Sequence, residues 1–222
     1  MQILIRWKIP VSAGIFYFCI MLVTSKEIRE ALSGKLPGSI SHKKALPKNR
    51  ILEVAQEQTK KVKHSSVLLL LFIENDELTA CLIKRPVHMK HHAGQIALPG
   101  GRIEQGEAAL DTALRETWEE IGIHKKEIEI LGSLSELYVE VSRFLIHPFV
   151  GWLKQKPETK INKNEVEKVI LFPLKNFTTE FDEVELDTIK GRISVPCVRY
   201  ENEIIWGATA MILAELKDIL EK

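Results

Sequence analysis

The order of apolar and polar residues along the chain predicts strands and helices in alternation. Residues 67–73 form a continuous apolar run, which is typical of a strand buried on both faces. A polar turn separates this run from residues 78–84, so the two segments predict an antiparallel hairpin. The same reasoning predicts later strands at residues 127–133, 142–151, 166–172, 192–200 and 203–206, with a polar loop over 154–164.

Two segments have the apolar repeat of a helix. Residues 107–121 carry apolar side chains at steps of three and four, and residues 208–220 do the same at the end of the chain. We expect the second helix to pack on the sheet. Hairpins together with helices predict an α/β fold whose mixed sheet contains antiparallel pairs.

The segment before the first long strand predicts a helical lead-in over residues 24–65, followed by the main domain over 66–222. Thr24 and Glu27 have the spacing of a capping box, and Gly34 is suited to end the helix that they begin. Residues 50–58 predict a second short helix.

Residues 1–23 differ from the rest, because Arg6 and Lys8 precede an uncharged, mostly apolar run over 9–23. Three interpretations remain open: a dispensable extension with Met21 as the true start, a membrane anchor, or a secretion signal. No small-x-small cleavage site follows the run, which disfavours the signal. The ordinary composition after Met21 favours the dispensable extension.

Composition predicts a globular protein of a reducing compartment. The 222 residues are 45% hydrophobic and 27% charged, which is enough for a core, and the net charge of +1 gives no argument for nucleic acid. Cys19, Cys81 and Cys197 are far apart, which argues against disulfides or a zinc site. We therefore expect a cytoplasmic protein that meets a membrane only if residues 1–23 act as an anchor.

The helix over 107–121 carries the first candidate chemistry. Glu116, Glu119 and Glu120 fall on one turn, where they repel each other unless a cation lies between them. Divalent ions such as Mg2+ prefer oxygen ligands of this kind. From the helix alone, a solvated acidic face neutralised by Arg115 is the alternative.

The full spacing favours the metal site. Gly101, Glu107, Arg115, Glu116, Glu119, Glu120, Gly122 and Ile123 stand at the intervals of G-x5-E-x7-R-E-U-x-E-E-x-G-U, where U is a bulky aliphatic residue. This resembles the box of the Nudix family, with Thr117 as a departure at the first U. The resemblance implies an α/β/α sandwich and a hydrolase of diphosphates.

The same resemblance implies roles for the box residues. Glu116, Glu119 and Glu120 are expected to bind Mg2+ or Mn2+, and one of them, Glu119 or Glu116, is expected to accept a proton. Arg115 and Glu107 belong to the catalytic set, and we expect them to form an orienting ion pair. Outside the box, Glu165 is either an additional base or a lone surface glutamate, and the surface interpretation is favoured.

A second signal precedes the box. Lys84, Arg85 and Lys90 offer charge to a polyphosphate, and Gly100 and Gly101 allow backbone to approach a ligand. Composition alone favours an ordinary basic loop. The neighbouring histidines have no spaced partner that would complete a zinc site.

This stretch is similar to the coenzyme A pyrophosphatase signature L-L-T-x-R-S-x3-R-x3-G-x3-F-P-G-G. The matches are Leu82, Arg85, Gly94 and Pro99-Gly100-Gly101, and the departures are Cys81, Ile83, Pro86, Lys90 and Leu98. His92 and Gln95 also resemble that subfamily. The implied substrate is coenzyme A or an acyl derivative, cleaved to 4′-phosphopantetheine and adenosine 3′,5′-bisphosphate. The implied substrate-binding residues are Lys84, Arg85, Lys90, His92, Gln95, Gly100 and Gly101.

Two other functions stay open. One is a hydrolase of another nucleoside diphosphate derivative, such as ADP-ribose or a dinucleotide. The other is a non-catalytic nucleotide sensor, which the complete set of box acids disfavours. A homodimer is also left open.

Overall fold

The computed structural model describes residues 4–10, 16–22, 24–47, 52, 62–89, 92–178, 180–188 and 191–221. Its helices are α1 (Ser25–Ser33), α2 (Ser39–His42), α3 (Ala109–Ile121) and α4 (Gly207–Leu220). Its strands are β1 (Leu4–Pro10), β2 (Phe16–Leu22), β3 (Lys63–Glu74), β4 (Glu77–Lys84), β5 (Ile96–Ala97), β6 (Gly100–Arg102), β7 (Ile128–Ser133), β8 (Leu137–Val139), β9 (Phe144–Leu153), β10 (Lys168–Pro173), β11 (Asp182–Thr188), β12 (Gly191–Tyr200) and β13 (Glu203–Trp206).

The central sheet has the strand order β10-β4-β3-β9-β7. β3 and β9 run parallel, whereas the pairs β3–β4, β4–β10 and β7–β9 are antiparallel, so the predicted mixed sheet is confirmed. The short strands β5, β6 and β8 add to β4, β3 and β9. β11, β12 and β13 form a separate antiparallel sheet, which contains the predicted closing hairpin.

Strand β3 lies in the middle of the sandwich because its apolar run supplies both faces. Leu68 and Leu70 are fully buried in the cluster that contains Ala113 and Ile121 of α3. Leu69, equally buried, belongs instead to the cluster formed with α1 and α4. Alternate side chains of one strand thus contact helices on opposite sides, which confirms the predicted α/β/α sandwich.

The start of the lead-in agrees with its sequence signals. Thr24 Oγ1 accepts a hydrogen bond from the Glu27 backbone N–H at 3.2 Å, and Glu27 Oε2 accepts from the Thr24 N–H at 2.7 Å. Gly34 follows the last helical turn, so the predicted capping box and helix end are both confirmed. The predicted helix over 50–58 lies outside the described residues, apart from Leu52.

Several predicted boundaries are wrong by two to four residues, including both ends of β9 (predicted at 142–151) and the start of β10 (predicted at 166). β3 begins at Lys63, because its first residues pair with β6 and β9 although they are not apolar. α3 begins at Ala109 rather than at Glu107, because Ala108 has an extended backbone with ψ 147°. Glu107 therefore precedes the helix.

Residues 4–22 contain two strands. β1 and β2 pair in antiparallel register from Leu4↔Leu22 to Pro10↔Phe16. Among the described residues, no helix has both the length and the apolar character needed to cross a membrane.

Candidate active site

Two glycines bring β6 and helix α3 together. β6 pairs with β3, so that Gly100 lies opposite Val67 and Gly101 opposite Ser66. A Cβ on Gly100 would lie 2.3 Å from the Ser66 carbonyl oxygen, and one on Gly101 would lie 2.3 Å from the carboxyl carbon of Glu116. Gly101 therefore lets a carboxylate of α3 approach the turn, and Gly100 lets β6 pack closely against β3.

Three carboxylates meet beside this turn. Glu116, Glu120 and Glu165 each offer one ligand oxygen, and these oxygens all lie within 4.8 Å of one another. Glu116 and Glu120 are one helical turn apart on α3, and Glu120 Oε2 accepts a hydrogen bond from the Gly100 backbone N–H at 2.9 Å. We call these three residues the carboxylate cluster.

Glu165 reaches the cluster through a loop that binds the end of α3. The backbone N–H groups of Lys160 and Asn162 donate to the carbonyl oxygens of Ile121 and Glu120 at 2.8 and 2.9 Å. Glu165 then follows within one turn, where its N–H donates to the Asn162 carbonyl. The sequence interpretation of Glu165 as a lone surface residue is corrected, and no fixed spacing links it to the box.

Burial shapes the electrostatics of the cluster. Desolvation raises the pKa of Glu120 to about 8, although the hydrogen bond from Gly100 and the positive charge of Arg85 act to lower it. Desolvation also raises the pKa of Glu116. Carboxylates so placed need either a proton or a cation, and a divalent ion with oxygen ligands fits this donor set.

The predicted ion pair of Arg115 and Glu107 is present. Arg115 Nε and Nη2 donate to the two oxygens of Glu107 at 2.8 and 3.0 Å, and Nη1 donates to Glu116 Oε1 at 2.9 Å. Hydrogen bonds from Arg115 and Thr112 lower the pKa of Glu107 to about 2. Arg115 thus connects the chain before α3 to a cluster carboxylate.

Glu119 and Thr117 lie in the same turn of α3 as Glu116 and Glu120. Arg115 Nη1 donates to Glu119 Oε2 at 3.0 Å, and the Glu119 side chain is 47% exposed, outside the cluster. A metal-binding role for Glu119 stays a prediction. Thr117 is buried and donates its hydroxyl to the Ala113 carbonyl at 2.7 Å, so the departure from the box leaves no unsatisfied group.

The predicted substrate-binding cations separate in space. Arg85 Nη1 lies 3.6 Å from Glu120 Oε1, and Arg85 Nε is buried without a hydrogen-bond partner in the described part of the chain. Lys84 Nζ instead lies 3.1 Å from Glu203 and 3.4 Å from Glu167. Lys90 is outside the described residues. Arg85 alone of the two described cations is thus directed at the cluster.

His92 and Gln95 support the backbone next to Arg85. His92 Nδ1 and Gln95 Oε1 are 2.8 Å apart, and the Gln95 carbonyl accepts from the Arg85 N–H at 3.0 Å. The Arg85 carbonyl accepts in turn from the Gly94 N–H at 3.1 Å. The structure therefore places both residues in the loop that holds Arg85.

Comparison with protein families and curated proteins gives consistent matches. Residues 62–190 match the model of the NUDIX domain. Nudix hydrolase 3 of Caenorhabditis elegans is 35% identical over 112 residues, which are 49% of this chain and 47% of that protein, so the match spans about half of the relative's length. The uncharacterized Nudix hydrolase NudL of Yersinia enterocolitica is 33% identical over 156 residues, which are 69% of this chain and 80% of that protein.

Among solved structures, the MutT protein from Methanosarcina mazei is similar with a TM-score of 0.50 and 18% identity. The alignment covers 72% of this chain and 96% of that protein. At this identity the similarity demonstrates a shared fold.

Proposed function

The chain belongs to the Nudix family, and from that premise we propose that it hydrolyses the diphosphate of coenzyme A or its acyl derivatives with Mg2+ or Mn2+. It is a Nudix diphosphatase. Hydrolases of this family generally use divalent metal ions as cofactors and small nucleotide derivatives as substrates. The observation that carries the proposal is the carboxylate cluster of Glu116, Glu120 and Glu165 beside the glycine turn.

The cluster residues are the proposed ion ligands. A divalent ion bound there would offset phosphate charge and lower the pKa of a coordinated water. The Gly100 N–H orients Glu120, and Arg115 orients Glu116, so two of the three carboxylates are held in place by neighbours. Such positioning matters because misplacement of a catalytic group by about 1 Å can lower a rate on the order of a hundredfold.

Arg85 is the proposed phosphate-binding side chain. Its guanidinium lies near Glu120 and retains an unused donor. A planar guanidinium presents a fixed pair of donors that matches two phosphate oxygens, whereas a lysine ammonium acts as a point charge. Gly100 and Gly101 are proposed to meet the substrate through their backbone, since the Ser66 carbonyl and the Glu116 carboxylate fill the space that side chains would take.

Support for coenzyme A comes from the signature before the box. Its arginine corresponds to Arg85, which faces the cluster, and its Pro-Gly-Gly ending forms the turn beside Glu116. A hydrolase of another nucleoside diphosphate derivative is the second candidate. It is favoured by the two carboxylates that neutralise Lys84 and by the replacement of the second signature arginine by Lys90.

A substrate panel tests the proposal. The protein would be incubated with Mg2+ and coenzyme A, ADP-ribose, NADH or nucleoside triphosphates, and products would be identified by mass spectrometry. We expect 4′-phosphopantetheine to form fastest. Preferential cleavage of ADP-ribose or NADH would retain the Nudix chemistry and contradict the coenzyme A assignment.

Replacement of Glu120→Gln separates the enzyme from a sensor. Because Gln keeps the shape but not the charge, we expect turnover to fall roughly a hundredfold or more while the fold survives. Asp111→Asn is the matched control, since Asp111 is an exposed acid in the first turn of the same helix. Loss of activity in both variants, or in neither, would contradict the proposed role of the cluster.

A further inference from the structure

A chain of three polar side chains crosses the sheet outside the carboxylate cluster. His147 Nδ1 lies 2.9 Å from Glu136 Oε1, and His147 Nε2 lies 3.0 Å from His64 Nδ1. The two imidazole rings are stacked, with centroids 5.4 Å apart and planes 19° from parallel. His64, the last of these three side chains, is exposed.

The carboxylate at one end sets the tautomers of both rings. An ionised Glu136 only accepts hydrogen bonds, so His147 must carry its proton on Nδ1. His147 Nε2 is then an acceptor in the neutral ring, and His64 must donate to it from Nδ1. His64 Nε2 is therefore the atom that remains free to accept a proton, and Glu136 stabilises the cation that results.

The histidine pair lies on the sheet face that carries the cluster. Ser66 is paired with Gly101, whose missing side chain would meet the Glu116 carboxylate, so Ser66 and Glu116 share one face. His64 is two residues before Ser66 on β3 and has the same orientation, about 6.6 Å further along the strand. His147 is the parallel partner of Ser66 on β9. This places the pair roughly 10 Å from the Glu116 carboxylate.

We propose that His64, backed by His147 and Glu136, binds a phosphate monoester of the substrate, namely the 3′-phosphate of coenzyme A. This inference rests on the proposed function, because coenzyme A carries a monoester in addition to the diphosphate. A phosphate in contact with His64 and a diphosphate held at the cluster would lie between these side chains, and therefore less than roughly 10 Å apart, a distance that one ribose can span.

The phosphate monoester and the His64 imidazole have matching acid–base chemistry. Phosphate monoesters and imidazoles exchange a proton near neutral pH. The proton of a monoanionic monoester passes to His64 Nε2, and the resulting imidazolium donates it back as a charge-assisted hydrogen bond to the dianion. The diphosphate itself has no proton to share at this pH, so the site selects the monoester.

The neighbouring cationic side chains Lys63 and Arg102 face away from His64, so His64 is the group placed to contact the monoester. Lys63, next in the chain, points to the other face and holds its Nζ 5.6 Å from the centre of the Phe144 ring. Arg102 is paired with Ser65 and therefore also faces away from His64. Lys63→Gln is accordingly a control that removes a nearby positive charge without touching the histidine pair.

The test compares coenzyme A with dephospho-coenzyme A, which lacks only the 3′-phosphate. For the wild-type protein we expect higher kcat/KM with coenzyme A. His64→Ala should lower kcat/KM for coenzyme A roughly tenfold, through KM, and leave dephospho-coenzyme A nearly unchanged. Lys63→Gln should affect both substrates equally. Equal losses for both substrates in His64→Ala, or none, would overturn the inference.

A binding measurement keeps this test separate from the proposed function. Adenosine 3′,5′-bisphosphate should bind the wild-type protein more tightly than AMP, and His64→Ala should abolish the difference even if coenzyme A is not hydrolysed. Glu136→Gln, which removes the carboxylate charge next to His147, should weaken the preference and alter the imidazole nitrogen signals of His64 in NMR spectra. The subsite would be contradicted if the wild-type protein bound adenosine 3′,5′-bisphosphate and AMP equally well, and if inorganic phosphate shifted the His64 signals as much as adenosine 3′,5′-bisphosphate does.

Discussion

At Glu120, burial and charge oppose each other. The residue is 1% exposed, and two other carboxylates lie close to it. Desolvation raises its pKa to about 8, so the metal-free protein keeps Glu120 protonated at neutral pH. Because a proton and a divalent ion neutralise the same oxygens, the two should compete.

This competition predicts how stability depends on pH without metal. The folded pKa of Glu120 is raised from 4.5 to about 8, so the folded state binds more protons than the unfolded state between these values. Stability conferred by protonated Glu120 is therefore complete below pH 4.5 and is lost as pH rises through 8. We expect its contribution to the unfolding free energy to fall by at most about 1.4 kcal/mol per pH unit. Urea denaturation in a chelating buffer measures it.

Two comparisons isolate Glu120 in this measurement. Glu120→Gln cannot ionise and should flatten the pH dependence, whereas Asp111→Asn should retain it. Saturating Mg2+ should reverse the trend, since metal binds the ionised form. An unchanged slope in Glu120→Gln would show that another group causes the effect.

Gly101 controls the position of a cluster carboxylate. In Gly101→Ala the new methyl group would lie 2.3 Å from the carboxyl carbon of Glu116, the mobile end of a side chain. We expect Glu116 to be displaced while the fold is kept, with kcat/KM reduced on the order of a hundredfold. Kinetics at several Mg2+ concentrations and thermal unfolding measure the two effects.

Gly34→Ala is the control, since its new methyl group meets its nearest neighbour at an ordinary 3.4 Å. Its activity should equal that of the wild type. If Gly101→Ala were fully active, Glu116 would not need its present position.

Among single residues, the sequence predicted those that stand at fixed intervals from one another. Glu116 and Glu120 were recognisable because α3 brings positions four apart onto one side, and the glycines because they precede that helix at a set distance. Glu165 was only one of two open interpretations, with the surface one favoured, because backbone hydrogen bonds from Lys160 and Asn162 bring its loop to α3. Such contacts leave no periodic pattern.

Helix α4 holds the lead-in through one buried acid. Glu215 is fully buried and accepts hydrogen bonds from the Gly38 N–H at 3.0 Å, the Ser135 N–H at 3.1 Å and the Ser135 hydroxyl at 2.5 Å. His42 Nε2 lies 3.0 Å from Glu215 Oε2. Desolvation opposes ionisation, but the hydrogen bonds from His42 and Ser135 prevail and lower the pKa of Glu215.

Glu215→Gln should therefore destabilise the protein at neutral pH. The amide would place a donor where an acceptor is needed and leave buried N–H groups unpaired. We expect a loss of about 3 kcal/mol in the unfolding free energy, measured by urea denaturation.

Glu221→Gln is the matched control at the end of α4. Its side chain is 44% exposed in an ion pair with Lys217, and such pairs contribute little. Equal stability of the two variants would mean that Glu215 does not hold the lead-in.

The sequence predicted elements better than their ends. The apolar run of β3 and the repeat of α3 carry their own signals. The first residues of β3 do not, because Lys63 to Ser66 are extended through pairing with β6 and β9. The shift between Ile130 and Gly132 in the β7–β9 register likewise depends on the partner strand.

The whole molecule requires more than the segment that matches the family. That segment spans residues 62–190, whereas one face of the central sheet is covered by α1 and α4. Ile28 of α1 is fully buried, as are Leu213 and Leu216 of α4. Helices α1 and α4 are therefore part of the fold, whereas the favoured interpretation of residues 1–23 is a dispensable extension.

Two N-terminal truncations test this division of the chain. A protein that begins with Met followed by Thr24 retains the capping box of α1 and Ile28, the first described side chain in the core. We expect its kcat and melting temperature to equal those of the full chain. A protein that begins with Met followed by Val62 lacks α1 and α2, which exposes apolar surface on the sheet and deprives Glu215 of Gly38 and His42.

The shorter protein should consequently aggregate or unfold without cooperativity, because several kcal/mol of burial and a buried hydrogen-bond network are lost together. Its cluster residues are all present, so any loss of activity would arise from the fold rather than from the chemistry. A stable, active protein that begins at Val62 would contradict the role assigned to the lead-in. A loss of stability on removal of residues 1–23 alone would instead make the β1–β2 hairpin part of the folded unit and exclude the interpretation of that segment as dispensable.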